Sequence, residues 1–282
     1  MNTTDNRITI RVWGDYACFT RPEMKVERVS YPLCTPSAAR GILEAIYWEP
    51  QMYYVIDNIA VVKKGRWFSF RRNEVSSVIN IDQAKSWMLG KTPVKYIAAG
   101  GGAADAAQRN MLALMDVEYL ITAEVRTTRR HDASRFTIKK YLCAIQRRAS
   151  NGKCCHRPVL GCREFAADFD WVEDPAKINL VEWREEDLGL MLYDIFDVDQ
   201  RAEGFRWLSS EELTNAEITR EAKIENMPIS QRKVAAKKPL QHYEGKVIQP
   251  QGAFFHAKIQ DARMECHPER ITILRPGAKE VN

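Results

Sequence analysis

Residues 35–62 read TPSAARGILEAIYWEPQMYYVIDNIAVV, one helix followed at once by one strand. Thr35 is a good N-cap, and Pro36 suits the first helical position, where its missing N–H leaves nothing unpaired. The helix is predicted over 37–48, with Ala39, Leu43 and Ile46 as its inner stripe. Glu49-Pro50 ends it, because the residue before a proline is pushed out of the helical region. Residues 52–62 then read as a strand. Working back, 7–13 (RITIRVW) alternates apolar and polar side chains, as a half-buried strand does, and Gly14-Asp15-Tyr16 breaks it. Working forward, 66–72 and 117–126 (VEYLITAEVR) are further strands. Asp132 can cap a helix running to about Ser150, with Ile138, Leu142, Ile145 and Ala149 at core-facing spacing and Asn151-Gly152 as the stop. A strand near 163–172 follows.

That order is close to the split βαβ ferredoxin-like arrangement, with a segment inserted between 72 and 116. Within the insert, 80–110 reads as irregular and carries the run Gly100-Gly101-Gly102. Strand-like pieces recur at 188–196, 252–259 and 270–274, separated by a polar insert that is acidic and then basic. The fold class is therefore α+β. At 282 residues, two domains are the expectation: a ferredoxin-like domain over 1–170 and a smaller β-rich one over 171–282.

Apolar residues make up 45% and charged residues 28%, which fits a packed chain and excludes a disordered one. No run approaches the roughly 20 uncharged apolar residues of a membrane helix, and residues 1–7 lack the apolar centre of a signal peptide. A cytoplasmic address, without a membrane partner, is the expectation. The seven cysteines are an odd count with no framework spacing, which points to free thiols.

Charge is distributed unevenly. Residues 1–170 hold 26 Lys/Arg against 17 Asp/Glu, whereas 171–282 hold 16 against 20. The sharpest block, 121–163, has 11 basic residues opposed only by Glu124 and Asp132, and 60–95 has eight against Glu74 and Asp82. Aromatics thread both: Trp67, Phe68, Phe70, Tyr96, Phe136 and Tyr141. Two such blocks favour a nucleic-acid backbone over a merely solvated face. The acidic stretch 171–227 is a solvated insert or a docking face. Gln231-Arg232-Lys233 with Lys237-Lys238 is a basic arm or a linker.

The RNP1 aromatic pattern is absent, so bases stacking on the sheet face are not expected. The triple glycine lacks the Gly-Lys-Ser/Thr of a P-loop, and is either a phosphate-approaching turn or a plain loop. Cys154-Cys155-His156 with Cys162 has no second cysteine pair at zinc spacing, so neither metal nor cofactor is expected. RNA, however, carries its own nucleophile in the 2′-hydroxyl. A protein need only take that proton and stabilise the phosphorane charge, which a tyrosine whose pKa is lowered by a nearby lysine could do together with lysines and arginines.

Several stretches, in order along the chain, resemble a known family. They are 13–20 (WGDYACFT), 31–32 and 35–48 (YP…TPSAARGILEAIYW), 70–74 (FRRNE), 108–110 (QRN), 116–119 (DVEY), 139–141 (KKY), 147–148 (RR), 160–165 (LGCREF), 188–194 (LGLMLYD) and 254–257 (FFHA). The family is the subtype I-C (Dvulg) branch of the fifth CRISPR-associated family, RAMP proteins that process precursor CRISPR RNA. The resemblance implies a ferredoxin-like domain with a smaller β-rich one, and metal-independent cleavage of the repeat leaving a 2′,3′-cyclic phosphate. It further implies retention on the 5′ tag of the CRISPR RNA, beside the backbone and large subunits of the interference complex.

The family's catalytic tyrosine, at the end of the first helix, matches Tyr47, and its lysine matches Lys139. The next position is Lys140, where the family has histidine; His131 and His156 are the candidate substitutes. Expected RNA contacts are Arg40 and Trp48 on the first helix, and Arg71, Arg72 and Asn73 after the second strand. To these are added Gly100, Gly101 and Gly102, then Arg109, Arg147, Arg148 and Arg163. The alternatives are a subunit that caps the 5′ tag without cutting, and a protein of the same complex whose basic face meets target DNA.

Overall fold

The alternation seen at 117–126 divides a long strand between two faces. In β4 (Ala106–Thr127), Val117, Tyr119, Ile121, Ala123 and Val125 enter the main core, while Leu120 packs on the opposite face with Ala60 and Val172. The computed structural model describes residues 6–98, 100, 102–134, 137–237, 240–245 and 248–276. β4 pairs antiparallel with β1 (Arg7–Ala17) on one side and with β3 (Met52–Val75) on the other. β5 (Asp168–Trp171) adds to the far edge of β1, giving the order β3-β4-β1-β5. Two helices, α1 (Pro36–Ile46) and α3 (Ile138–Ala149), contact this sheet and each other. The short β2 (Arg28–Val29), parallel to β4, precedes α1 in sequence, and α2 (Ile81–Met88) lies between β3 and β4. The fold is ferredoxin-like.

The same sheet continues past residue 170. β10 (Arg263–Glu265) pairs with β3, β9 (Ala253–Gln260) with β10, and β6 (Glu185–Asp194) and β11 (Ile273–Leu274) with β9. Met191, Tyr193, Phe255 and Ile259 share one core with α1 and β4. Each fully buried large apolar side chain contributes about 1.5–3 kcal/mol.

Several boundaries differ from the sequence expectation. The strands expected at 52–62 and 66–72 are one, because Gly65 adopts φ +78° without leaving the ladder. A Cβ there would meet Val117 Cγ1 at 2.7 Å. Residues 80–110 are not wholly irregular: Asn80 caps α2, and β4 begins at Ala106. Helix α3 starts at Ile138, since Asp132 spends its carboxylate on a local turn, accepting from Ser134 N at 3.0 Å. Its buried face is Tyr141, Ile145 and Ala149, with Ile138 and Leu142 only half-buried.

The polar insert is helical. It holds α4 (Val198–Glu203), α5 (Ser210–Glu225) and α6 (Ile229–Lys237), and the short strands β7 (Arg206–Trp207) and β8 (Tyr243–Glu244) pair with each other. Its basic tract 231–237 lies in α6 and is not an open linker; Lys238 is outside the described residues. Among the described residues no helix is long and apolar enough to cross a membrane.

Candidate active site

Tyr47 is the C-cap of α1, already in extended backbone at φ −158°, ψ 130°. In extended chain, alternate residues point the same way, so Tyr47 and Glu49 come together. The Tyr47 hydroxyl donates to Glu49 Oε1 at 2.5 Å, and Lys140 Nζ donates to Glu49 Oε2 at 3.0 Å. The Arg148 guanidinium lies 5.6 Å from the centroid of the Tyr47 ring. One acid, one phenol and two cations therefore converge from α1 and α3.

The ring is buried, Tyr47 being 6% exposed, but the Lys140 and Glu49 side chains are 37% and 33% exposed. Solvent thus reaches the polar end. Burial, then the Glu49 hydrogen bond and charge, push the Tyr47 hydroxyl well above the ordinary tyrosine range, and Arg148 only partly opposes them. This corrects the expectation of a tyrosine lowered by lysine. Lys140 is held by the carboxylate, which itself faces the phenol. Lys139, one position along α3, is exposed, as is Arg147.

The two helices are tied at the main chain as well. The Ala45 carbonyl near the end of α1 accepts from both Cys155 N (2.8 Å) and His156 N (3.0 Å) in the segment after α3. Of the candidate replacements for histidine, His131 meets Tyr141, Nδ1 to Oη 3.3 Å, while His156 lines a cavity on the other side of α1.

The remaining RNA candidates are dispersed. Arg40 is 7% exposed, and its guanidinium binds Asp194 through Nε (2.7 Å) and Nη2 (3.0 Å) and Glu44 through Nη1 (2.6 Å). Trp48 points away from Tyr47 and lies 5.6 Å from the Phe205 ring centroid. Arg72 pairs with Glu74 and Glu164, Arg109 lies 4.0 Å from Glu27, and Arg71, Asn73 and Arg163 are exposed. Gly100 and Gly102 are exposed with nothing packed on either; Gly101, like Phe136, lies outside the described residues. Among the described residues no three His, Cys, Asp or Glu side chains converge as a metal site.

Glu49 is the residue that sequence reasoning missed, having been taken only as a helix stop. The available signal was its place two residues beyond a candidate catalytic tyrosine, on the same side of an extended segment.

The family model for Cas5d, described as CRISPR-associated protein (Cas_Cas5), matches residues 7–235. The chain is 43% identical over 194 residues to the CRISPR pre-crRNA endoribonuclease Cas5d of Mannheimia succiniciproducens, covering 67% of this chain and 85% of that protein. It is 41% identical over 196 residues to the protein of the same name from Thermus thermophilus, covering 68% and 75%. A solved structure described as a CRISPR-associated protein superposes with a TM-score of 0.51 at 16% identity, over 93% of this chain and 91% of the other, a likeness of fold alone. The chain belongs to the Cas5d family of CRISPR-associated proteins.

Proposed function

We propose that the protein is an endoribonuclease that cuts CRISPR repeat RNA by metal-independent attack of a 2′-hydroxyl. The reading is carried by one observation: Glu49 is shared between the Tyr47 hydroxyl and Lys140. A tyrosine held protonated is a poor base on its own. It can instead relay, accepting the 2′-hydroxyl proton while passing its own to Glu49. The 2′-oxygen then bonds to phosphorus, the P–O5′ bond breaks, and a 2′,3′-cyclic phosphate forms. The departing 5′-oxygen takes a proton from water or the Lys139 ammonium. Lys139 and Arg148 supply positive charge to the phosphorane. After cleavage the protein stays on the 5′ tag, among the backbone and large subunits of the interference complex. The exposed cations of α3 suit that continuing hold.

Purified protein incubated with its repeat RNA in EDTA tests the reading. Cleavage that persists in chelator and stops when the cut-site ribose is 2′-deoxy supports it. A divalent requirement, or cleavage of the deoxy substrate, overturns it. The 6% exposure of Tyr47 favours a second reading, a tag-capping subunit that binds without cutting, for which intact, tightly held RNA is the expected outcome.

A further inference from the structure

Trp48 and Pro50 alternate with Tyr47 and Glu49, and they face elsewhere. They line a cavity of about 810 Å³ between α1 and the helical insert, within the roughly 300–1,000 Å³ range of small-ligand pockets. Four aromatic rings gather there. Trp48 packs on Phe205 at 5.6 Å between centroids, Phe205 meets Trp207 at 5.3 Å and Tyr243 at 5.4 Å, and Trp207 meets Tyr243 at 6.4 Å. Trp207 is nevertheless 62% exposed and Trp48 37% exposed. A cluster this aromatic and this open is what a stacking platform requires.

The polar groups on the wall narrow the ligand. Arg40 and Arg201 line the cavity, but both face Asp194, at 2.7 and 3.7 Å, and Arg40 also binds Glu44. The charges are therefore matched internally, and the site is not built for a phosphate. Two buried polar atoms on lining residues have no hydrogen-bond partner among the described residues: Thr128 Oγ1, on a residue 5% exposed, and Arg201 Nε, on a side chain 9% exposed. Both are enclosed, Thr128 Oγ1 against Gly204, so the open part of the wall is the aromatic one, which suits a neutral planar ring.

We infer that this cavity holds one unpaired nucleobase of the bound RNA. Tyr47 and Trp48 are adjacent residues, but in extended chain their side chains point to opposite faces. The captured base therefore belongs to a nucleotide a few positions from the scissile phosphate. That placement rests on the endoribonuclease reading of Tyr47; the pocket itself does not. Seating the base there splays it from its neighbours and anchors the strand on the side of α1 away from Tyr47.

The test uses the full-length protein and repeat RNA carrying 2′-deoxyribose at the cut position, or native repeat should none be cut. Single abasic sites are scanned along the RNA. One position within a few nucleotides of the cut is expected to weaken binding about tenfold, the order of a lost base–aromatic stack. Trp207→Ala is expected to weaken binding of intact RNA by a similar factor, and to have no further effect on RNA abasic at that position, because both changes remove one contact. Trp207→Phe should restore most of the affinity. Effects of Trp207→Ala that multiply with the abasic effect at every position, or an abasic scan with no such position, would overturn the inference. A protein that shows this coupling yet never cuts native repeat refutes the nuclease reading and leaves the pocket standing. One that cuts without the coupling refutes the pocket alone.

Discussion

The Tyr47 hydroxyl donates a hydrogen bond to a Glu49 oxygen 2.5 Å away, so a carboxylate able to take up the phenolic proton is already in place. Glu49→Gln removes the negative charge that would receive the proton and keeps the shape. The expected result is a fall in cleavage rate of about 10²-fold or more, the usual scale of a lost general base, with RNA affinity unchanged or improved. Single-turnover cleavage beside a filter-binding titration checks it. Equal rates for the two proteins would remove Glu49 from the mechanism.

The pH dependence follows from the raised Tyr47 hydroxyl. A raised folded-state value means that the protonated form is the stabilised one. Its stability contribution is complete below the ordinary tyrosine range near pH 10 and is lost as pH climbs through the folded value. The phenolate therefore does not accumulate under ordinary assay conditions. Cleavage rates are expected to show no tenfold-per-unit rise between about pH 8 and pH 10. Such a rise would mean that a phenolate is the base.

Arg40 illustrates how a basic residue can be misjudged from sequence. Burial alone would push the Asp194 carboxyl up, but Arg40, joined by Arg201, holds it below its ordinary range. Arg40→Ala leaves that carboxylate buried with Arg201, at 3.7 Å, as its remaining cation among the described residues, beside the Ser37 hydroxyl and the Ile195 and Phe196 N–H groups. The expected loss is about 3–5 kcal/mol of unfolding free energy, measurable by urea titration. Because the Asp194 value is depressed, the wild-type pair's contribution is present above about pH 4 and is lost as pH falls through the folded value. The variant should show a correspondingly weaker acid transition.

Arg147 is exposed on α3 and should act only by charge. Arg147→Ala is expected to weaken RNA binding about equally for all sequences, and to reduce the slope of log affinity against log salt by about 0.7–0.9. A change in sequence preference with no change in slope would argue against a phosphate contact.

Gly161 adopts φ +86°, and a Cβ placed on it would lie 2.1 Å from the Cys18 carbonyl oxygen. Gly161→Ala should lower stability by about 3 kcal/mol, combining left-handed strain with backbone displacement. Thermal melting of the two proteins compares them directly.

What the sequence made legible was what depends on periodicity and capping. The Thr35-Pro36 start and the Ile8/Ile10/Val12 stripe of β1 appear where capping and alternation placed them, and 117–126 is a strand as expected. Tyr47 and Lys140 do converge, because α1 and α3 pack side by side on that sheet. The illegible parts depend on contacts distant in sequence. Residues 52–62 and 66–72 read as two strands, and only the continuous pairing on β4, Lys64 with Val117 and Arg66 with Met115, makes them one. Helix α5 has little amphipathic stripe to read, although the Ser209–Glu212 capping box was present in the sequence. Glu49 meets Lys140 from ninety-one positions away, and Arg40 is committed to Asp194, 154 positions on.

The two donors on the Ala45 carbonyl have an evolutionary corollary. Atoms of the backbone, not of any variable residue, fasten the tip of α1 to the segment following α3. The spacing between phenol and ammonium is thereby insulated from drift in side-chain identity. Any substitution at position 140 therefore changes the group offered to Glu49 without touching the main-chain bonds that join the two segments.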